Sequence, residues 1–391
     1  MLVQKPEIIK YYKYPVEVHN VTTIDGYILE LHRIPYGLNA SNTAEVNRPV
    51  VFFQHGFIGS SAVWVTNTPP NSAGFLMADA GFDVWMGNAR GNRYSKKHRS
   101  LDPSDRDFWE FTWSEYVKYD LPAMINYVLN VTGENQLYYI GYSEGTLTMF
   151  AKLASDQSFS RKIRSMFALG PIGLLKSVRG AIVRVLQLKD LVKTFLKKAT
   201  QIVPNDKPTR QVAKFLCRAV LAGLCENMMY AVTGPYTQQF NRTVFFYQFD
   251  LQTRLPVYIA HLPSTTSAKN LHHWIQLISG DSIKMFEYDS PQENIEHYGQ
   301  VLVSKLINLL LMNAPIHLYW SSDDWIADEN DIQRGLLDVI PEKYLIENRK
   351  LDSFNHFDFI WGTRAPDQIY KPIIDTIKNE HKTVTLDSRV Y

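Results

Sequence analysis

The chain has 391 residues, 45% of them apolar and 20% charged, and its formal net charge is +2. This length exceeds one minimal domain and suits a large core with an insertion. The near-neutral charge, with no basic tract and no nucleic-acid-binding motif, argues against a nucleic-acid partner, and no uninterrupted apolar stretch reaches transmembrane length.

The N-terminal residues and the glycosylation sequons point in different directions. The segment MLVQKPEIIKYY has no apolar signal core, so it offers no route to secretion. Four Asn-X-Ser/Thr sequons occur, which suit a secreted protein but also arise by chance. A cleaved or omitted signal, or a cytosolic protein, would each reconcile the two observations. The candidate glycosylation sites are Asn20, Asn39, Asn130 and Asn241.

The first half of the chain alternates between strand and helix patterns. Residues 1–48 contain a predicted hairpin, His19 to Ile34, with its turn at Asp25-Gly26. Residues 49–171 then read as β-α-β-α-β with short connections. This order predicts an α/β fold with a mostly parallel central sheet and helices on both faces.

Two glycine turns in this half are candidate parts of a catalytic site. His55-Gly56-Phe57 follows the strand Pro49 to Gln54, where an α/β hydrolase places one backbone N–H of its oxyanion hole. The stretch QLYYIGYSEGT, Gln136 to Thr146, reads as strand, G-x-S-x-G and helix, which is the pattern of a nucleophile elbow. The pattern predicts Ser143 as a nucleophile, and the alternative is a glycine-rich turn with a solvated serine.

In the loop Gly87 to His98, polar side chains are expected to hold the loop rather than to take part in chemistry.

In residues 172–301 the alternation of strand and helix patterns stops. This segment is predicted to be an inserted, mainly helical cap that forms one wall of a pocket. Within it, apolar residues from Val185 to Leu196 recur at helical spacing with lysines between them. Such a helix could touch a lipid surface, or it could be a cap helix with a solvated basic face, which we favour. The core is expected to resume over residues 302–379, and residues 380–391 to form a poorly ordered polar tail.

Only two cysteines occur, Cys217 and Cys225. In one continuous helix they would lie about 12 Å apart, too far for a disulfide. Gly223 could break the helix and let them meet, so a disulfide and two free thiols both remain open.

A serine nucleophile needs a histidine base held by a carboxylate, and in this fold the chain order is serine, acid, histidine. Asp324 follows a predicted strand and His356 lies in a later loop, so both suit these roles. Spacing alone leaves Asp323 and Asp328 as rival acids. No metal-ligand set is evident and no cofactor is expected.

Several segments together resemble the acid lipase family, the gastric and lysosomal lipases of the α/β-hydrolase fold. The resemblance implies Ser143 as nucleophile, Asp324 as orienting acid and His356 as base, with an oxyanion hole from the amides of Phe57 and Glu144. It implies hydrolysis of triacylglycerols or cholesteryl esters at a lipid droplet or membrane surface, in a lysosomal or secreted setting. The cysteine pair also fits the family. The segments are YPVEVHNVTTIDGYILELHRIP, QHGFIGSS, ADAGFDVWMGNARGN, YYIGYSEGT, DDWIAD and FNHFDFIWG.

The sequence departs from the family at the elbow. The family usually has GHSQG, and here Tyr142 and Glu144 replace its His and Gln. An ionised Glu144 would oppose the charge that an oxyanion hole stabilises. We therefore expect activity that favours acidic pH. The Pro263 to Ser267 stretch also lacks the glycine of the family's PAGTS.

These observations predict a serine hydrolase of lipid esters that acts through an acyl-enzyme. One alternative is a lipid-binding or carrier protein that has lost catalysis, and another is an esterase for small soluble esters. The sequence leaves the oligomeric state open, with a monomer expected.

Overall fold

A central sheet organises the computed structural model, which describes residues 6–38, 48–203, 222–239, 255–299 and 308–387. The nine strands run in the order β1-β2-β4-β3-β6-β7-β10-β11, with β5 beside β2. The strands β4, β3, β6, β7, β10 and β11 pair in parallel, whereas β1, β2 and β5 join the sheet antiparallel. The predicted α/β fold with a mostly parallel sheet is confirmed. The strands are β1 Glu17–Thr22, β2 Tyr27–Ile34, β3 Val50–Gln54, β4 Asp83–Met86, β5 Lys97–His98, β6 Leu137–Tyr142, β7 Ile163–Leu169, β10 Ile316–Trp320 and β11 Leu345–Lys350; a separate pair is β8 Gln201–Ile202 and β9 Thr266–Ser267.

Helices cover both faces of the sheet, as predicted. Strand β3 is buried along its whole length, and its side chains alternate between two packing layers. Phe52 packs in the layer that contains Ile125, and Phe53 in the layer that contains Ile373. The α-helices are α1 Glu7–Tyr11, α2 Ala73–Asp79, α3 Trp113–Glu115, α4 Leu121–Thr132, α5 Glu144–Ser155, α6 Ala181–Gln187, α7 Lys189–Lys198, α8 Ala222–Thr233, α9 Leu255–His261, α10 Ala268–Ser279, α11 Pro291–Tyr298, α12 Glu329–Ile332, α13 Asp358–Trp361 and α14 Lys371–Asp387.

Shorter turns of helix complete the architecture. A π turn, Tyr116–Asp120, joins α3 to α4, so the helical segment from Trp113 to Thr132 contains one distortion. Two more π turns are Gln333–Leu337 and Pro366–Tyr370. The 3₁₀ turns are Ser61–Trp64, Pro69–Asn71, Asp107–Trp109, Gln157–Lys162, Leu309–Leu311 and Glu342–Tyr344.

The described residues between 172 and 299, which we call the cap segment, contain six helices, α6 to α11, and contribute no strand to the main sheet among the residues described. The described part of this segment is thus mainly helical, as expected, and its one strand pair is β8–β9. Two lysines on the basic face of helix α7 form ion pairs, because Lys193 and Lys197 each lie 2.8 Å from the Asp289 carboxylate. Within the described helices, none is long and apolar enough to cross a membrane.

Some predicted features lie outside the described residues. Cys217 is one of them, so the disulfide with Cys225 stays a prediction. Asn39 and Asn241 are also outside, whereas Asn20 and Asn130 are described and exposed.

The expectation of a poorly ordered tail from Glu380 onward is wrong as far as Asp387. Helix α14 runs through this segment. Ile377 is fully buried one turn earlier, and the Ser165 hydroxyl donates to the Glu380 carboxylate at 3.0 Å. Core packing and this hydrogen bond anchor the helix beyond the point at which the apolar pattern fades.

The loop after β4 is held by buried polar contacts, as predicted. Arg90 is 1% exposed and binds Asp120 through Nε at 2.8 Å. Its Nη1 binds Asp25, in the hairpin turn, at 2.6 Å. Asn88 accepts from the backbone N–H of Ser61 at 2.9 Å. These contacts join the hairpin, the loop and the helical segment beside α4.

Candidate active site

Ser143 lies on a sharp turn between β6 and α5, with φ 53° and ψ −118°. Left-handed backbone is strained for a residue with a side chain, and here it holds the serine at the end of a buried strand. The flanking glycines permit the turn. A Cβ at Gly145 would lie 2.5 Å from the Gln54 carbonyl oxygen, and one at Gly141 would lie 2.9 Å from Gly145. This is the strand–turn–helix context that the G-x-S-x-G pattern predicts.

The fold brings three of the predicted side chains together, although they are far apart in sequence. His356, in the loop after β11, has its Nε2 2.8 Å from Ser143 Oγ. Its Nδ1 lies 2.7 Å from Asp324 Oδ2, in the loop after β10. All three are at most 4% exposed. The arrangement suits transfer of the serine proton to the histidine, with the carboxylate fixing the tautomer.

Contacts of the neighbouring carboxylates distinguish the three candidate acids. Asp324 Oδ1 accepts from the backbone N–H groups of Ile326 and Ala327 at 2.8 and 2.9 Å, which leaves Oδ2 for His356. Asp328 instead pairs with Arg179 at 2.8 Å and caps α12. Asp323 lines a polar surface groove with Arg364. Only Asp324 of the three contacts His356 within the described structure.

The histidine loop is fixed by a short hydrogen-bonded turn. Asn355 Oδ1 accepts from the Phe357 backbone N–H at 3.0 Å, and the Asn355 backbone N–H donates to Asp358 Oδ2 at 2.8 Å. Burial raises the pKa of Asp358 to about 7, despite hydrogen bonds that oppose the shift. Asn355 and Asp358 therefore hold the backbone on which His356 sits.

The backbone amides of Phe57 and Glu144 are the predicted oxyanion donors. Neither donates to a backbone carbonyl within the described residues. Gly56 lets the backbone before Phe57 approach Ser143 closely, because a Cβ at Gly56 would lie 2.9 Å from Ser143 Cβ. Helix α5 begins at Glu144, so its first free N–H groups and its positive end lie beside Ser143.

An apolar cavity of about 280 Å³ opens on Ser143 and His356. Core and cap segment share its wall. Phe57 and Tyr142 come from the core side, and Val192 and Trp274 from the cap segment. Further lining residues are Gly56, Ile58, Gly59, Val63, Ile182, Val232, Thr233, Leu262, Leu271, Ile275, Ile278, Ile326 and Phe357.

Known families and relatives match nearly the whole chain. The model described as "Partial alpha/beta-hydrolase lipase region" matches residues 5–68, and that of the "alpha/beta hydrolase fold" matches residues 49–363. The chain is 42% identical to lipase lipl-1 of Caenorhabditis elegans, covering 97% of this chain and 92% of that protein. It is 37% identical to the gastric triacylglycerol lipase of Bos taurus, over 96% and 91% of the two chains. It is also 37% identical to the lysosomal acid lipase/cholesteryl ester hydrolase of Rattus norvegicus, over 95% and 90%.

The chain belongs to the acid lipase family. It is accordingly a carboxylic ester hydrolase. A solved structure of a soluble variant of monoglyceride lipase from Saccharomyces cerevisiae shares the fold at a TM-score of 0.52 and 14% identity, over 94% of this chain and 95% of that one.

Tyr142, the first departure from the acid lipase elbow, contacts the histidine loop. Its hydroxyl donates to the His356 carbonyl oxygen at 2.9 Å, and the two rings lie 5.0 Å apart between centroids. Sequence reasoning missed this contact, because residue 142 lies one place from the serine but its partner lies 214 positions away.

Glu144, the second departure, faces the cap segment and is only 3% exposed. Its Oε1 accepts from Trp274 Nε1 at 2.7 Å and from Asn270 Nδ2 at 3.0 Å. Burial raises its pKa to about 7, and the two hydrogen bonds oppose that shift. The Glu144 carboxyl is therefore bound to the cap segment rather than turned to solvent.

Among the described residues, no group of three His, Cys, Asp or Glu side chains has the geometry of a metal site.

Proposed function

We propose that this chain hydrolyses carboxylic esters of lipids, either triacylglycerols or cholesteryl esters, through Ser143, Asp324 and His356. The observation that carries the proposal is the apolar cavity that opens on Ser143 Oγ, where an acyl chain would place its ester carbonyl. Two relatives, a gastric triacylglycerol lipase and a lysosomal acid lipase/cholesteryl ester hydrolase, support both substrate classes.

The geometry supports a two-step reaction. His356 Nε2 accepts the Ser143 hydroxyl proton as Oγ attacks the ester carbonyl, while Asp324 stabilises the resulting imidazolium. The amides of Phe57 and Glu144 would stabilise the tetrahedral oxyanion. His356 then protonates the departing alcohol and leaves an acyl-serine. Water, deprotonated by the same histidine, releases the fatty acid and restores the serine.

Apolar side chains beside the cavity support action at a lipid droplet or membrane surface. Val183, Leu188 and Phe195, on α6 and α7 and the turn between them, are 38%, 57% and 66% exposed. Ile182 and Val192 of the same helices line the cavity. Exposed apolar side chains on the helices that line the cavity suit a lipid surface better than bulk water.

A lysosomal or secreted location is part of the proposal, because relatives include gastric and lysosomal lipases. Asn20 and Asn130 are exposed and are therefore accessible for glycosylation. Removal of N-glycans should lower the mass of protein purified from a secretory host by one glycan for each occupied sequon.

The deciding experiment compares a long-chain ester as an emulsion with a short, monomeric ester of the same alcohol, for the wild-type chain and Ser143→Ala. We expect hydrolysis of the emulsion by the wild type only, together with labelling of Ser143 by a phosphonate probe. Preference for the monomeric ester would indicate an esterase of soluble substrates. A folded wild-type protein without hydrolysis or labelling would refute the proposal in favour of a lipid carrier.

A further inference from the structure

Glu144 makes a side-chain contact that joins the nucleophile's helix to the cap segment. The carboxyl belongs to the first residue of α5, directly after Ser143, and both of its hydrogen-bond donors belong to α10. Asn270 and Trp274 lie 126 and 130 positions after Glu144 in the sequence. A change in this contact therefore acts on the cap segment and the elbow together.

The same contact reaches the second oxyanion segment. The Trp274 indole, held by Glu144, packs on the Phe57 ring with centroids 5.1 Å apart. The two amides assigned to the oxyanion hole thus belong to residues whose side chains are linked through one tryptophan. Loss of the Trp274 hydrogen bond would free the indole and weaken its packing against the Phe57 ring.

Asn270 is oriented so that a donor faces Glu144. Its Oδ1 accepts from the Trp113 backbone N–H at 2.7 Å, which directs Nδ2 toward the Glu144 carboxyl. Both partners of Glu144 are therefore neutral donors. They bind an acceptor oxygen in either protonation state of the carboxyl, so that ionisation changes the charge beside Ser143 without removing an acceptor.

The charged and titratable groups around Glu144 do not neutralise it. Among the described residues, no positive charge contributes to the shift in its pKa. Tyr116 has its pKa raised well above its ordinary value, chiefly by burial and then by Glu144, so it stays neutral. On α10, burial lowers the pKa of His273 to about 3, and Lys269 is bound to Glu110 at 3.2 Å. Across Ser143 lie His356 and Asp324, which form their own pair. On α5, Lys152 binds Asp156.

We propose that Glu144 is a positioning residue that holds Trp274 against Phe57 and so couples the cap segment to the oxyanion hole, and that loss of its proton slows ester hydrolysis. The proposal rests on the proposed function and adds a regulation of that site. A carboxylate beside the oxyanion opposes the charge that develops in the transition state. The buried, neutral carboxyl keeps the hydrogen bonds without this cost, and burial places the change near neutral pH.

The test separates the charge of Glu144 from its hydrogen bonds. Glu144→Gln keeps an acceptor oxygen of similar shape but cannot ionise, whereas Glu144→Leu removes both properties. kcat and KM would be measured from pH 5 to 9 on one long-chain ester. We expect the ratio of kcat for Glu144→Gln to kcat for the wild type to rise at least about fivefold between pH 5.5 and 8.5. We expect Glu144→Leu to have a kcat about tenfold below that of Glu144→Gln at every pH, with a smaller change in KM.

Parallel profiles for the wild type and Glu144→Gln would overturn the charge effect, and equal kcat values for the Leu and Gln variants would overturn the positioning role. Trp274→Phe provides an independent measurement that does not depend on the folding of Glu144→Leu. In the wild type, the hydrogen bond from the Trp274 indole lowers the pKa of Glu144. The variant removes this N–H, so the pKa of Glu144 should rise, but it keeps an aromatic ring against Phe57. We expect the alkaline limb of its kcat profile to move to higher pH, and an unmoved limb would overturn the proposal. A wild-type protein that neither hydrolyses the ester nor labels with the phosphonate would instead contradict the proposed function.

Discussion

The Tyr142 hydroxyl donates to the backbone carbonyl of His356 at 2.9 Å, so the residue before the nucleophile holds the loop of the proposed base. Both groups are buried, and the Tyr142 ring lies beside the imidazole. The substitution that distinguishes this elbow from the usual family sequence therefore has a structural partner at the site itself.

Tyr142→Phe should lower kcat several-fold and stability by about 1 kcal/mol, because the His356 carbonyl loses its donor in a buried site. Tyr370→Phe is the matched control. That buried hydroxyl also donates to a backbone carbonyl at 2.9 Å, but its partner is Phe359 rather than the histidine. Kinetics and chemical denaturation of both variants provide the check. Equal losses of kcat would show that Tyr142 has no particular effect on the histidine.

Asp324→Asn should reduce kcat by about 10³- to 10⁴-fold, since an amide no longer stabilises the imidazolium or fixes the tautomer of His356. Asp323→Asn, at the adjacent position in the surface groove, should retain activity within about twofold. Steady-state kinetics at one pH compares the two. The reverse order of effects would assign the acid to Asp323.

Replacing Ser143 should reveal backbone strain at the elbow. Because φ is 53°, we expect Ser143→Gly to be more stable than Ser143→Ala by about 1 kcal/mol in urea denaturation. Ser165 in β7 is a buried serine without positive φ, so there the alanine variant should be the more stable one. Finding alanine preferred at both positions would refute strain at residue 143.

Stability of Glu144→Gln relative to the wild type should depend on pH. The folded-state pKa of Glu144 is about 7, above the ordinary 4.5, so the folded state binds this proton more tightly. Wild-type stability is therefore lost as pH rises from about 4.5 through 7, and the variant lacks this loss. At about 1.4 kcal/mol for each pH unit between those values, the variant should gain up to about 3 kcal/mol at pH 8 relative to its difference at pH 4.

Urea denaturation at both pH values measures the gain. Asp358, whose pKa is also raised to about 7, titrates in both proteins and cancels from the comparison. A stability difference that does not change with pH would contradict the assignment of this proton to Glu144.

Local patterns were sufficient to predict the sheet and two of the three proposed catalytic residues, Ser143 and His356. Strand β3 is a continuous apolar run, and the elbow combines glycines with a strand and a helix, so both signals lie within about ten residues. The strand ends then bring Asp324 and His356 to Ser143. The choice among Asp323, Asp324 and Asp328 needed the family resemblance, because neighbouring carboxylates have the same pattern.

Contacts between distant segments could not be predicted in this way. Nothing near Glu144 in the sequence indicates Trp274 or Asn270, and nothing near Tyr142 indicates the His356 carbonyl. The end of α14 was missed for a related reason, because Glu380 is polar and its partner, Ser165, lies in a core strand. Burial of polar groups depends on the packed structure, and hydropathy alone does not report it.

The Arg90 contacts limit how this chain can be recombined with its relatives. A chimaera that takes residues 1–48 from a relative has a different hairpin turn. If that turn has no acid at position 25, the buried Arg90 guanidinium keeps Asp120 as its only carboxylate partner among those described. An incompletely paired buried charge costs several kcal/mol, a large part of the stability of a typical domain. Asp25, Arg90 and Asp120 should therefore be inherited as one unit, and a crossover between the hairpin and the core is viable only where both parents carry all three.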